Sequence, residues 1–462
     1  MSAGPVVIDL GVRTNEPPAE PAPSRPALAR HLRTAVTALV VALVLAVGGS
    51  APQPGPALVE VAAPPTSIWQ QELLVGDRLY VVHPPTDRSF RRTVTAYDLT
   101  RGADLWTTPI GVETRALGPE GEASLSIAGE RLLVHTEDRT FVLDTASGRL
   151  RASVPHHVTG GDAGNVGLVR EPIWSFVSDD PAVNATVRVV AGASGEVVHV
   201  TAVEPGEAPR VSVQVDGVSV RAFDLDTGAE LWATGSVTAG ELLPGEPPSV
   251  AVLTRDGVLE VRDARTGAVR HSRARAVDGS MGWLGVVGDL VLVQTGLSEA
   301  TAYAAGTLET VWRAALPRHG AAYDCGAVLC VAMAGRSLLI DAGNGRPLGE
   351  VVANGHLDSR GGHLLRLGPR EGELDHTVDP YSGRPLVDLS DWPDPVTGAE
   401  GSPLVLTRPD QLPDRAWFAV LEPGATRIQV LGPVPHRVSQ CQSSDTHLAC
   451  RTGNGLRVWT YR

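Results

Sequence analysis

The chain contains no lysine: all 39 of its basic residues are arginine. That choice fits a GC-rich bacterial genome, and it removes every chemistry that rests on a lysine amine. A P-loop phosphate lysine, a Schiff base and a kinase strand lysine are all excluded. Aromatic residues make up only 4% of the 462 positions. There is no GxSxG elbow, since Gly279-Ser280-Met281-Gly282 has the wrong spacing, and no HExxH zinc helix. No apolar run reaches the roughly 20 residues of a full membrane span. Charge of one sign is also short. Residues 1–50 carry a net +1 and the remainder a net −14, which repels nucleic acid and favours solubility in water.

What is abundant is glycine and proline, at 50 and 36 residues, spread along the chain as short strands and tight turns require. The stretch FDLDTGAELW, beginning at Phe223, recurs in worn copies. Six copies place an aspartate and a glycine at Asp98 and Gly102, Asp144 and Gly148, Asp224 and Gly228, Asp263 and Gly267, Asp341 and Gly345, and Asp379 and Gly383. Gly228 to Gly267 is 39 residues, Gly267 to Gly345 is 78, and Gly345 to Gly383 is 38, so the recurrence is a true period. Weak copies put further glycines at Gly306 and Gly195. In each copy the aspartate side chain bonds nearby N–H groups and the glycine accepts positive φ, which turns the chain. Trp106 and Trp232 then bury area between sheets. The alternation in TFVLD and VLEVRD is that of half-buried strands, and the Asp256-Gly257 pair marks a hairpin.

About 40 residues and four strands per unit is the arithmetic of a β-propeller blade. Residues 66–462 have room for nine or ten units. Insertions at 153–185 and 390–416, read as long loops, bring the expectation to eight blades within a range of seven to nine. The last segment, Gly455 to Arg462, is expected to pair with the first blade and close the ring.

Residues 34–50 are apolar, with no charge between Ala35 and Gly49. They are read as an uncleaved transmembrane signal anchor. Arg25, Arg30 and Arg33 before it place residues 1–33 in the cytoplasm and the body outside, at the cell membrane. Residues 1–33 read as a disordered tail whose apolar island, with Val7, Ile8 and Leu10, is a candidate linear motif for a cytoplasmic partner. Residues 51–67 read as a Pro- and Ala-rich tether and 68–462 as the extracytoplasmic propeller.

Cys325 with Cys330, and Cys441 with Cys450, form two local pairs, each ending in the apolar strand of a repeat. They read as disulfides of an oxidising compartment, with a zinc site as the rival reading. His156 and His157 read as part of a solvated loop with side chains on opposite faces. Asp179-Asp180-Pro181 reads as a turn, and Asn184-Ala185-Thr186 is a glycosylation sequon by pattern only.

The strand, Asp-x-x-Thr-Gly turn and tryptophan four residues later resemble the PQQ-like repeat. That repeat builds the quinoprotein alcohol dehydrogenases and many non-enzymatic envelope propellers. The tail, single span and repeats together look like membrane-anchored PQQ-like proteins of actinobacteria. The resemblance covers most of 70–462 and implies an all-β propeller. The enzymes of the family hold the quinone beneath a disulfide of adjacent cysteines and against calcium ligands. This chain has no adjacent cysteine pair and no matching ligand set. The expectation is therefore a non-enzymatic binding or scaffold module for an envelope protein or glycan, with no cofactor. The alternative is a PQQ- or sugar-dependent oxidoreductase.

Overall fold

The computed structural model describes residues 58–461, apart from 66–70, 85–90, 112–122, 137–138, 161–164, 179–210, 275, 278–281, 296–297, 318–320, 353–356, 369–372, 399–400, 411 and 413. The expected membrane anchor at 34–50, the tail motif and the weak copy at Gly195 lie outside those residues. Among the described residues no helix is long and apolar enough to cross a membrane.

Every described element is a strand, and the strands form eight sheets. Six sheets have four antiparallel strands in sequence order. The seven-stranded sheet is two such sets sharing one strand. The first half of Glu230–Leu243 pairs with Val211–Asp224 as a fourth strand. After a register shift at Val237/Ala239, its second half pairs with Ser249–Thr254 as the next first strand. Among the described residues nine sets therefore follow one another: 71–111, 124–154, 159–237, 239–273, 282–315, 321–352, 358–388, 394–434 and 438–460.

The ninth set takes its fourth strand from the other end of the chain. Val59–Ala62 pairs antiparallel with Gly455–Thr460, with Val59 opposite Thr460 and Glu60 opposite Trp459. Two expectations are corrected here. Residues 59–62 are not tether, because an unpaired edge of the ninth set captures them. The C-terminal segment does not pair with the first set, because it is the third strand of its own. An ion pair from Arg457 to Glu60 at 2.6 Å adds to the junction.

Nine hydrophobic clusters alternate with the nine sets, each filled from two neighbours. Tyr80 and Val94 of the first set meet Leu132 and Val134 of the second. The ring closes where Leu79 and Val81 of the first set meet Leu456 and Val458 of the ninth. The first strands of neighbouring sets touch: Gln71–Val75 meets both Ser124–Ala128 and Val438–Ser443, and Gly282–Val287 meets Ala321–Asp324. First strands thus line the axis and fourth strands form the rim.

This geometry explains the middle strands. Leu132 and Val134 face the first set while Leu133, between them, faces the third. Val250 and Val252 face the third set, Ala251 and Leu253 the fifth. Both faces are buried, so these strands read as apolar runs and not as alternation. Thr140–Leu143 of TFVLD is buried at every position, against the half-buried reading.

Two further readings change. The stretch 153–185 is not an open loop in its described part, which ends at Ser178. It contains Val166–Ser178, paired residue by residue with Val211–Asp224. The fourth strand begins to pair only at Val218, so the two strands run past their sheet as an arm. The wide gap between Gly148 and Gly228 is thus one lengthened unit. The stretch 390–416 holds Asp394–Pro395, Thr397–Gly398 and Leu404–Pro409.

Candidate binding faces

The six aspartates and glycines of the repeat all lie in turns between third and fourth strands, on one face of the ring. Asp224 Oδ1 accepts from the N–H groups of Asp226 and Thr227 and from the Thr227 hydroxyl, and Gly228 N donates to the Asp224 carbonyl at 2.7 Å. Asp98, Asp144, Asp263, Asp341 and Asp379 make the same kind of bonds within their own turns. These donors favour the ionised carboxylate. At Asp98 the Thr100 hydroxyl leads in holding the carboxyl below its usual range, and at Asp379 the Tyr381 N–H does. At Asp263 burial pushes upward, but the Thr266 N–H and Arg270 outweigh it and bring the carboxyl to about 2. Each residue serves its own turn, so the structure does not gather the set into one site.

The tryptophans do more than bury area. Trp106, Trp232 and Trp312 each sit on a fourth strand and reach the turn of the next set. Their indole nitrogens donate to the carbonyls of Thr145, Ala264 and Ala342, at 3.1, 2.8 and 2.7 Å. The ring lies on the next turn's glycine: a Cβ at Gly345 would come within 2.6 Å of Trp312 Cε3. The repeat thus couples neighbours, and glycine is needed for contact as well as for φ. In the fifth set Leu308, not Gly306, takes the left-handed position, with φ 56 and its N–H donating to the Ala304 carbonyl. Leu308 is buried in the cluster with Leu284 and Tyr303, which offsets its strain.

The cysteines form disulfides, Cys325–Cys330 with Cα atoms 5.8 Å apart and Cys441–Cys450 with Cα atoms 4.1 Å apart. Each ties the first strand, or the turn just after it, to the second strand of its set. The two bridges lie in the sixth and ninth sets, neither joins adjacent residues, and no group of three or more His, Cys, Asp or Glu among the described residues could hold a metal. Among the described residues no donor set matches the adjacent-cysteine and calcium-ligand arrangement of a quinone site.

The opposite face carries the turns between second and third strands and the links between sets. Two features stand out there. The first lies at the base of the arm. His156 does not sit in a solvated loop: its Nδ1 is 2.5 Å from Glu171 Oε1, and its Nε2 accepts from Arg221 at 3.0 Å. An arginine only donates, so the proton is on Nδ1. Arg221 also pairs with Glu230. His157 faces the other way and stacks on His135, with centroids 4.1 Å apart. The Thr140 hydroxyl donates to the His156 carbonyl and accepts from Val158 N–H, so His135 Nδ1 donates to it. Burial, and after it the neighbouring His157, push His135 down to about 4.

The second feature is a cavity of about 560 Å³ between the eighth and ninth sets, lined by Asp394, Thr397, Thr407, Arg415, Arg437 and Gln440 among others. None of these residues stood out in the sequence. The nearest signal is the pair of Pro-Asp dipeptides at 409–410 and 413–414, which marks a turn but not a site.

A closed ring of four-stranded antiparallel sheets, with first strands at the axis and fourth strands at the rim, is a β-propeller. Residues 216–388, from the third set to the seventh, match the PQQ-like family described as outer membrane protein assembly factor BamB. The chain folds as a propeller, and over those residues, 173 of its 462, it is similar to that PQQ-like repeat family. Among solved structures, BamB from Moraxella catarrhalis is 13% identical over 87% of this chain and 97% of its own, with a TM-score of 0.39. The computationally designed protein Ika8 is 15% identical over 73% of this chain and 95% of its own, at 0.42. The C-terminal WD40 domain of Sif2 is 9% identical over 87% and 98%, at 0.38. No curated protein matches the chain.

Proposed function

We propose that the chain is a single-pass membrane protein whose extracytoplasmic propeller is a non-enzymatic binding module for an envelope protein or glycan. The observation that carries this reading is the asymmetry of the two faces. One is occupied by repeat turns that satisfy themselves and dock on each other, and its cavity, beside Arg360 and Ser402, is the smaller at about 270 Å³. The other carries the arm of the third set and the open cavity between the eighth and ninth. Function on a rigid scaffold sits where irregular segments are presented. The matched family is named for a protein that assists assembly of other proteins, which agrees with a scaffold role. On this reading each set is one blade, so the ring has nine blades, at the upper end of the expected range. Residues 34–50 are the anchor, residues 1–33 face the cytoplasm, and Val7, Ile8 and Leu10 offer side chains to a cytoplasmic partner.

Photocrosslinking in living cells tests the face. Leu412, 54% exposed, lies on the cavity face, and Tyr381, 61% exposed, lies in a repeat turn on the other. A crosslinker at position 412 should capture a reproducible envelope component, and one at 381 should not. Capture from 381 alone, or from neither, removes the reading. Reporter fusions before residue 34 and after residue 462 test the topology: both on one side of the membrane would overturn it.

A further inference from the structure

We propose that the cavity between the eighth and ninth sets binds a saccharide carrying an anionic group, a carboxylate or a phosphate. This deepens the binding-module reading and rests on it.

The cavity lies where the first strand of the eighth set pairs only briefly with the second. In the fifth set the first strand pairs with the second over six residues, Gly282–Val287. In the eighth set the pairing is short: Asp394 and Pro395 lie opposite Thr407 and Leu406, and one further bond runs from Val396 N–H to the Val405 carbonyl. The chain then crosses to the ninth set, where Thr397 and Gly398 pair parallel with Gln442 and Ser443. Arg408 and Pro409, at the far end of Leu404–Pro409, have no first-strand partner, because the chain just before Asp394 bonds to the seventh set, where Leu374 N–H donates to the Pro393 carbonyl. The opposite wall is also irregular. The strand Val438–Ser443 bulges between Ser439 and Gln442, and Gln440 stands at φ 47, a left-handed conformation that a glutamine rarely takes. Cys441, beside it, is bonded to Cys450 on the next strand, which fixes the bulge. A pinned, strained bulge facing an open cavity is the arrangement in which proteins hold a binding group in place.

The lining states the chemistry. Arg415 and Arg437 are exposed on the rim, and among the described residues neither guanidinium has an ion pair or hydrogen bond. Many other described arginines are paired, as Arg131 is with Asp226 and Arg451 with Glu72. Of the two lining carboxylates, Asp410 is already engaged. Two unspent planar forks suit a carboxylate or phosphate, which they bind in bidentate fashion. Thr397, Thr407, Ser439 and the Gln440 amide supply donors and acceptors, and Asp394 an acceptor, for neighbouring hydroxyls. No aromatic side chain lines the space, so an apolar ligand has no platform. The volume is that of a small-ligand site and holds about two sugar rings.

The test is calorimetry on full-length protein in detergent. The probes are a glucuronate-terminated disaccharide, the same disaccharide phosphorylated instead, its neutral parent, and inorganic phosphate. At least one anionic disaccharide should bind about ten-fold or more tightly than the neutral one, and the two anionic forms tell uronate from phosphate recognition. Arg415→Gln and Arg437→Gln should each weaken binding about ten-fold without moving the thermal midpoint, since neither side chain has a partner to lose. Gln440→Gly keeps the backbone conformation and removes the amide, and should weaken binding less. Equal binding of the neutral disaccharide, inorganic phosphate binding as tightly as the sugar phosphate, or unchanged affinity in both arginine variants would overturn the proposal. So would no binding at millimolar concentration. Absence of saccharide binding together with protein capture through position 412 overturns this inference alone and leaves the binding-face reading intact.

Discussion

Gly345 and Gly335 lie in the same set and both have positive φ, 72° and 74°. They differ in what surrounds them. A Cβ at Gly335 meets nothing within 4 Å, whereas one at Gly345 meets Trp312 at 2.6 Å. Alanine at either position carries the left-handed penalty, about 1–2 kcal/mol. At Gly345 it must also displace a buried indole. That forfeits the bond to the Ala342 carbonyl, worth about 1 kcal/mol, and part of the packing whose full loss on Trp→Ala costs about 3–5 kcal/mol. Gly345→Ala should therefore destabilise by about 3–5 kcal/mol and Gly335→Ala by about 1–2. Denaturant midpoints of the two variants give the comparison. The double variant with Trp312→Ala completes it: once the indole is gone, the Gly345→Ala penalty should fall to that of Gly335→Ala. Equal penalties at the two glycines, or an unchanged penalty without Trp312, would refute the docking account of the repeat.

Three further outcomes are expected. Glu72, buried between the first and ninth sets, receives a bidentate Arg451 at 2.7–3.1 Å. Glu72→Ala leaves a partner stranded and should cost about 3 kcal/mol in the denaturant midpoint; a change under about 0.5 would show that the closure does not depend on this pair. His135, held near 4 in the fold against 6.5 when unfolded, contributes fully above pH 6.5 and loses its contribution as pH falls toward 4, up to about 3 kcal/mol. His83, His363 and His447, lowered chiefly by burial, act in the same direction. His135→Gln should flatten the pH dependence of the thermal midpoint between pH 4 and 6.5, and an unaltered slope would contradict the assignment. Asp98, Asp144, Asp224, Asp263 and Asp379 have lowered folded values, so their contribution is present above about pH 4 and is lost as pH falls, toward about 2 at Asp263. Asp263→Asn should lower the midpoint at neutral pH and flatten its fall between pH 4 and 2, and a midpoint that still drops as in the parent over that range would argue against it.

The period of the repeat, the all-β class and the disulfide pairs were legible because each is a local pattern. An Asp-x-x-Thr-Gly turn needs only its own backbone, and cysteines five and nine residues apart need only one hairpin. Where the pattern was worn, local reading failed. Gly306 looks like the turn glycine, yet Leu308 occupies the left-handed position, because hydrogen bonding to Ala304 fixes the register and burial holds the side chain.

Long-range partners were decided by the fold alone. Nothing in Val59–Ala62 distinguishes it from tether until the ninth set presents an unpaired edge almost 400 residues later. His156 met Glu171 and Arg221 only through the arm. Arg415 and Arg437 came to line one cavity only because the eighth set packs beside the ninth. Sequence determined the unit and its turns, since those rest on neighbours in the chain. The count of sets, the closure of the ring and the difference between its faces rest on contacts between units, which the periodic pattern leaves open.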